Sequence, residues 1–135
     1  MTTTRTPDFQ FQQFTIQQDA CAMKVGTDGV LLGAWAPVAE VQTILDIGTG
    51  TGLIALMLAQ RQPAALVTGV EIDAAAAVQA QANAEASPFR ERMTVAAQSI
   101  QDFTDQQDAR FDLIVSNPPF FSGGVLSDQL ARAEV

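Results

Sequence analysis

The sequence predicts an α/β fold, with parallel strands in one sheet and helices packed against its faces. Two observations predict this class: short apolar runs alternate with helix-forming segments from residue 43 onward, and glycine, proline or polar residues separate them. The chain of 135 residues is long enough for one compact domain, and no internal repeat divides it. We expect right-handed β-α-β units in residues 41–135, preceded by an arm and a cap helix in residues 1–40.

The N-terminal region predicts a short hairpin or extended arm followed by one helix. Apolar residues alternate at the start of the stretch FQFQQFTI, residues 9–16, as they do in a strand. The helix is expected to take Thr27 or Asp28 as its N-cap and to end near Pro37. Because Trp35 ends the apolar face of this helix, we expect it in the core rather than on a base-stacking surface.

The rest of the chain predicts four strands and the segments that connect them. The strands are expected at residues 43–48, 66–73, 92–97 and 111–117, where short runs are apolar. Helices are expected at residues 51–60 and 73–86, and residues 100–109 predict a polar connection with one helical turn at most. In the second helix, Asp73 is the expected N-cap, and Ser87-Pro88 is the expected end.

Composition and charge exclude several classes of function. The net charge is −8, from 7 basic and 15 acidic residues, which disfavours a surface that coats nucleic acid but allows a site that reads one nucleotide. A single cysteine and no histidine exclude an internal disulfide framework, a Cys/His zinc site and histidine-based catalysis. Because the sequence shows no signal-peptide core and no apolar stretch near the roughly 20 residues of a membrane span, we expect a cytoplasmic protein without membrane or metal sites.

A glycine-rich loop lies between the first of these strands and the helix that follows it. Asp46, Gly48, Gly50 and Gly52 form the pattern D-x-G-x-G-x-G, and residues without a Cβ let the backbone turn sharply and approach a ligand. Glu71 ends the next strand, where its carboxylate can accept hydrogen bonds from a ribose diol, and Asp46 could accept from an ammonium group. We interpret the loop as a site for an adenosine-containing cofactor. The alternative is that the glycines serve only a tight turn and Glu71 is a solvated strand end.

The stretch SNPPFF follows the last predicted strand and therefore reaches the same sheet edge. The Asn117 side-chain oxygen can accept from an exocyclic amine, and Pro118 and Pro119 offer carbonyl acceptors without competing N–H donors. Phe120 supplies a flat face on which a base can stack. This rigid turn predicts a site for an amino group on a planar ring; the alternative is a strand-ending loop with a core phenylalanine.

These motifs resemble those of a known enzyme family. DIGTGTG resembles motif I of class I S-adenosylmethionine-dependent methyltransferases, and NPPF resembles motif IV of amino-methyltransferases that act on adenine N6, cytosine N4 or glutamine N5. More narrowly, CAMKVGTDGVLLGAWAPV resembles the bacterial tRNA adenine-N6 methyltransferases that modify the adenine 3′ of the anticodon in valine tRNA. The resemblance implies a Rossmann-like class I methyltransferase sheet, S-adenosyl-L-methionine as cofactor and tRNA, presenting a single target adenine, as partner.

The resemblance also implies roles for individual residues. Asp46 and the three loop glycines would cradle the methionine part of the cofactor, Glu71 would hold its ribose hydroxyls and Ile72 would pack on its adenine ring. Ser99 stands where many relatives carry an acid that reads the adenine, so Ser99 or a backbone amide would take that role. Asn117 and the Pro118 carbonyl would accept from the target amine, and Phe120 would stack on the target base. The mouth of the cofactor site would be lined from the N-terminal side by Lys24, Thr27, Asp28 and Gly29.

The family's sheet continues beyond the fourth strand, whereas this chain ends soon after it. We therefore expect a fold truncated after the fourth strand, inactive by itself, and present as a monomer or as a dimer paired along that open edge. Two alternative functions stay open at this point. One is amino-methylation of a protein glutamine or of rRNA, and the other is a non-catalytic adenosine-binding or interaction module.

Overall fold

The structure, a computed structural model, describes residues 9–10, 13–17, 27–106 and 110–117. Its strands are β1 (Phe9–Gln10), β2 (Thr15–Ile16), β3 (Thr43–Ile47), β4 (Leu66–Val70), β5 (Met93–Ala96) and β6 (Leu113–Ser116). Its helices are α1 (Thr27–Trp35), α2 (Leu53–Arg61), α3 (Ala74–Glu85) and α4 (Ile100–Gln106), with a short 3₁₀ turn at Arg90–Arg92. Among these helices, none has the length and apolar character needed to cross a membrane.

Two sheets are present in this part of the chain. β1 and β2 pair antiparallel, which confirms the predicted hairpin. The main sheet has the order β5-β4-β3-β6 with every neighbouring pair parallel, which confirms the α/β prediction. β4 ends at Val70, three residues before the predicted end, because the turn into α3 starts at Glu71, whose carboxylate accepts from the Asp73 amide at 3.0 Å.

Both faces of the main sheet are covered, as parallel sheets require. Ile44 faces a core built from α2, the hairpin and the neighbouring strands, whereas Leu45 faces a smaller core closed by Phe103 of α4. Phe14 and Ile16 of the hairpin region are buried in the larger core together with Ile44. The N-terminal elements and the main sheet therefore share one apolar cluster, and the proposed division at residue 40 stays a prediction.

The expected core position of Trp35 is wrong, since its side chain is 76% exposed. α1 packs on α2 through its glycines, while Leu32 also packs, partly buried, against the core. A Cβ on Gly33 would stand 2.5 Å from the Met57 sulfur, so the two helices approach closely and a larger residue there would force Met57 to shift. This close approach turns Leu31 and Trp35 outward, a consequence of packing that apolar periodicity does not reveal.

Three details of the helix boundaries differ from the predictions. Asp28 lies in the first turn of α1 rather than at a cap. Asp73 does occupy the N-cap position of α3, but its side chain forms no capping hydrogen bond. Residues 100–106 form a helix longer than the single turn expected, because the Ser99 hydroxyl accepts from the Asp102 amide at 3.1 Å and so caps α4.

Candidate functional site

The glycine loop and Asn117 leave neighbouring strands at the same sheet edge. β3 and β6 are adjacent and parallel, and Ile47 is paired with Ser116 at their C-terminal ends. The next residues, Gly48 and Asn117, therefore emerge side by side, as the sequence predicts. In open α/β sheets this edge is where ligands bind.

The loop after β3 has a backbone conformation that only glycine adopts readily. Gly48, Gly50 and Gly52 have φ angles of 71°, 57° and 90°, all in the left-handed region. No atom lies within 4 Å of the place where a Cβ of Gly48 would stand, so the conformation rather than crowding requires glycine there. The Gly48 and Thr49 amides both donate to the Val70 carbonyl, at 2.8 and 3.0 Å, which fixes the base of the loop to β4.

The Glu71 carboxylate ties the middle of this loop to the end of β4. Its Oε1 accepts from the Gly50 amide at 2.8 Å, and its Oε2 accepts from the Asp73 amide at 3.0 Å. A carboxylate offers about four lone-pair positions, so this half-buried group keeps acceptor capacity for further donors. Its remaining acceptor positions are thus held in place beside the glycine loop.

Asp46 lies beneath the loop rather than at its surface. It is 1% exposed, and its Oδ2 accepts from the Thr49 hydroxyl at 2.8 Å, whereas its Oδ1 has no hydrogen-bond partner among the described residues. Burial raises the pKa of the Asp46 carboxyl to about 7, against opposing contributions from the Thr49 hydroxyl and the Ala55 amide. The loop therefore covers an acid that changes charge near neutral pH.

The predicted adenine-side residues lie along the same edge. Ile72 follows Glu71 and is 75% exposed, so an apolar side chain is available beside the loop. Ser99 follows β5, whose Ala96 is paired with Val70 of β4. Its hydroxyl already accepts from Asp102, which leaves the hydroxyl proton and a lone pair for another group.

α1 brings a third element to the site. A Cβ on Gly29 would stand 3.2 Å from the Asn117 Nδ2 and 3.1 Å from the Leu53 Cδ2, so the start of α1 lies against Asn117 and against the first residue of α2, which directly follows the glycine loop. Asp28 is exposed at the same end of the helix, and the side chain of Thr27 is not described. The other predicted site residues, Lys24, Pro118, Pro119 and Phe120, lie outside the described residues.

With this geometry established, comparison with known proteins gives the family. The sequence profile of the methyltransferase small domain matches residues 23–134. The chain belongs to this family. It is 59% identical over 118 residues to the tRNA1(Val) (adenine(37)-N6)-methyltransferase of Salmonella typhi, covering 87% of this chain and 48% of that protein. The chain thus spans about half the length of the curated relatives it matches.

Solved methyltransferase structures share the fold of this small domain. The O-methyltransferase from Bacillus cereus in complex with SAH is 25% identical with a TM-score of 0.62, over 73% of this chain and 47% of that one. A putative O-methyltransferase from Klebsiella pneumoniae is 25% identical with a TM-score of 0.59, over 69% of this chain and 44% of that one. The Rossmann-like methyltransferase architecture predicted from the sequence is confirmed.

One residue of this methyltransferase domain that bears on the loop was missed from the sequence. Asn83 of α3 is 2% exposed, and its Nδ2 donates to the Thr51 carbonyl, inside the glycine loop, at 2.8 Å. The signal was available: Asn83 is an amide among the alanines at the helical spacing of the buried face, such as Ala76 and Ala80. In the described ranges, no group of three acidic, cysteine or histidine side chains is arranged to hold a metal ion.

Proposed function

We propose that this chain binds S-adenosyl-L-methionine at the glycine loop and belongs to an enzyme that methylates N6 of a single adenine in valine tRNA. The observation that carries the proposal is the pairing of Ile47 with Ser116, which sets the loop beside Asn117. The tRNA adenine-N6 methyltransferase activity by which relatives 59% and 58% identical are named supports the substrate. Because tRNA is its substrate, we also propose a cytoplasmic location.

The described residues fit this cofactor. The place where a Cβ of Gly48 would stand is open, and the buried Asp46 Oδ1 offers an acceptor without a partner among the described residues. Glu71 presents its carboxylate toward the place of a ribose diol, and the exposed Ile72 side chain offers an apolar face for a purine ring. The three side chains match the three parts of the cofactor in order. Ile72 would contact the adenine, Glu71 the ribose, and Asp46 the ammonium group of the amino acid part.

The reaction proposed is a direct transfer to an amine. When bound, the cofactor would supply an electrophilic methyl group on a sulfonium; the amine lone pair would form the new nitrogen–carbon bond while the carbon–sulfur bond breaks, and the rest of the cofactor would be left as a neutral thioether. The adenine N6 lone pair is delocalised into the ring, so the protein must favour a pyramidal amine. Asn117 does this through its side-chain oxygen, which accepts from the amine and stabilises the positive charge growing on nitrogen before the proton leaves to solvent.

The acidic surface limits how tRNA is bound by this part of the protein. With a net charge of −8, the chain offers few phosphate contacts, which agrees with reading one base rather than a long duplex. An unstacked adenine in a loop enters a pocket at lower cost than a paired one.

β6 is the outer strand of the described sheet, with Ile114 57% exposed, and we propose that two copies can pair along it.

Two measurements test this function. Calorimetric titration with S-adenosylhomocysteine is expected to show binding by this chain. If no binding is detected at a ligand concentration of about 1 mM, which corresponds to a binding free energy weaker than about 4 kcal/mol, a non-catalytic module is favoured instead.

The second measurement follows a labelled methyl group from the cofactor, using the longest form of the protein that its gene encodes. Unmodified valine tRNA is expected to accept the label, and a transcript with guanine in place of the target adenine is expected to accept none. If rRNA or a protein glutamine is labelled and tRNA is not, the proposed substrate is wrong and the proposed cofactor stands.

A further inference from the structure

The side chain of Asn83 joins two segments that lie far from it along the chain. Its Oδ1 accepts from the Gln17 backbone N–H at 2.9 Å, and its Nδ2 donates to the Gln17 carbonyl at 3.1 Å. The same Nδ2 donates to the Thr51 carbonyl at 2.8 Å. The side-chain amide thus spends both of its Nδ2 donors and an Oδ1 acceptor on the main chain of two other segments.

These two segments are the end of the N-terminal hairpin and the middle of the glycine loop. Gln17 directly follows β2, and Thr51 lies between Gly50 and Gly52. Holding a residue by both its N–H and its C=O fixes position and orientation together, as a neighbouring strand would. Because a buried polar group without a partner is costly, neither segment can move away without leaving Asn83 unsatisfied.

We propose that Asn83 is a positioning residue that couples the N-terminal hairpin to the glycine loop. The inference rests on the proposed function for the identity of the ligand, whereas the coupling itself is a property of the unliganded protein. Through Thr51, Asn83 holds the loop in the turn that presents the Gly50 amide to Glu71. A ligand that steadies the loop therefore steadies Gln17, and a docked hairpin favours the loop conformation that binds the ligand.

Hydrogen exchange of the unliganded protein tests the coupling directly. In Asn83→Ala, the amides of Gln17, Gly50 and Gly52 are expected to exchange together, about tenfold faster or more, because about 1.4 kcal/mol corresponds to tenfold. Amides in the centre of β4 should keep their rates if the fold is intact. Acceleration at Gln17 alone, with no change at Gly50 and Gly52, would overturn the proposal.

Hydrogen exchange in the presence of ligand distinguishes coupling from a purely structural role of Asn83. In the wild-type protein, S-adenosylhomocysteine is expected to slow exchange at both Gly50 and Gln17. In Asn83→Ala it should slow Gly50 and leave Gln17 unchanged. Equal protection of Gln17 in both proteins would overturn the coupling. If the wild-type protein binds no S-adenosylhomocysteine, the proposed function fails, and the unliganded comparison still decides the role of Asn83.

Two further variants make the test specific. Asn83→Asp keeps the size and the acceptor for the Gln17 N–H, but it places an oxygen opposite the carbonyls of both Thr51 and Gln17, so faster exchange is expected at Gly50 and Gly52 and, more weakly, at Gln17. It also stands in if Asn83→Ala does not fold. Gln81→Ala is the matched control, because this amide lies on the same helix and donates only to the exposed Glu85, at 3.1 Å. If Gln81→Ala speeds exchange at Gln17 and Gly50 as much as the Asn83 variants do, the proposal is contradicted.

Discussion

The two loops that leave the adjacent strands β3 and β6 are held in different ways. The glycine loop is fixed from three sides by polar groups: Glu71 from the end of β4, Asp46 from beneath and Asn83 from α3. Asn117, by contrast, forms no side-chain hydrogen bond within the described residues and lies against the bare backbone of Gly29. The glycine loop, on the proposed methyl-donor side, is therefore organised by several polar contacts. Within the described residues the Asn117 side chain, on the proposed methyl-acceptor side, has no such polar contact and packs against the start of α1.

Because of this difference, variants near the glycine loop and variants near Asn117 are expected to change different quantities, the cofactor affinity and kcat respectively. Groups that fix the glycine loop are expected to change the affinity for S-adenosylhomocysteine, since they shape the cofactor site in the ground state. Groups around Asn117 are expected to change kcat, since the amine is stabilised most as charge develops in the transition state. Variants on the two sides should therefore sort into two kinetic classes.

The largest effect is expected for Asn117→Ala. In the longest form of the protein that its gene encodes, loss of the proposed acceptor for the target amine should lower kcat for valine tRNA by about 10²–10³-fold, the usual cost of removing one transition-state hydrogen bond. The affinity for S-adenosylhomocysteine, measured by calorimetry, should stay within about twofold, the change expected from a few tenths of a kcal/mol.

Ser116→Ala is the control for a local disturbance beside Asn117, because it removes only the hydroxyl that donates to the Ile47 carbonyl at 3.1 Å and keeps the backbone pairing with Ile47. It should leave both kcat and affinity nearly unchanged. An equal loss of affinity and rate in Asn117→Ala would show that the asparagine serves the cofactor instead of the amine.

Glu71→Ala sharpens the comparison from the other side. It removes the proposed acceptor for two hydroxyls and also the partner of the Gly50 amide. Hydrogen bonds to a charged group contribute about 1.5–3 kcal/mol, so we expect an affinity for S-adenosylhomocysteine weaker by about 100-fold. Glu85→Ala, at an exposed position of α3, should bind normally. Unchanged affinity in Glu71→Ala would remove Glu71 from the site.

A smaller effect on the acceptor side is expected for Gly29→Ala. The new Cβ would stand 3.1 Å from the Leu53 Cδ2 and 3.2 Å from the Asn117 Nδ2, so both side chains must shift by a few tenths of an ångström. Because misplacing a catalytic group is costly, we expect kcat to fall by about tenfold or more, with S-adenosylhomocysteine affinity kept.

Gly33→Ala on the same helix is the comparison for Gly29→Ala. Its Cβ would meet the Met57 sulfur at 2.5 Å, which should lower the free energy of unfolding by about 1–3 kcal/mol. Chemical denaturation and steady-state kinetics separate the two variants. If Gly33→Ala lowers kcat as much as Gly29→Ala does, general loosening of α1 rather than contact with Asn117 explains the effect.

The glycine loop and Glu71 were far easier to predict from the sequence than the residues that hold the loop and α1 in place. The glycine spacing and Glu71 could be read directly, because a strand, a tight turn and the next strand end form a local unit. Asn83 was missed because its partners, Gln17 and Thr51, become its neighbours only in the folded chain. Trp35 was misplaced for the same reason, since the orientation of α1 is set by its contact with Met57 and not by its own apolar pattern.

The smallest expected effect concerns pH and belongs to the buried acid beneath the glycine loop. Burial raises the Asp46 pKa from 3.8 to about 7, so the folded protein retains a proton that the unfolded chain releases. The stability that this proton contributes is present at low pH and is lost as pH rises towards 7. Ligand binding has the opposite dependence, because only the ionised carboxylate attracts an ammonium group above it.

The affinity for S-adenosylhomocysteine should therefore increase from pH 6 to pH 8 by up to about tenfold, as Asp46 ionises near pH 7. Asp46→Asn keeps an oxygen for the Thr49 hydroxyl but cannot ionise, so its affinity should vary less over this range and its denaturation midpoint should fall less between pH 4 and pH 7. Calorimetry and urea denaturation at matched ionic strength measure both. Parallel pH profiles for the two proteins would mean that the loop is organised by the shape of this side chain and not by its charge.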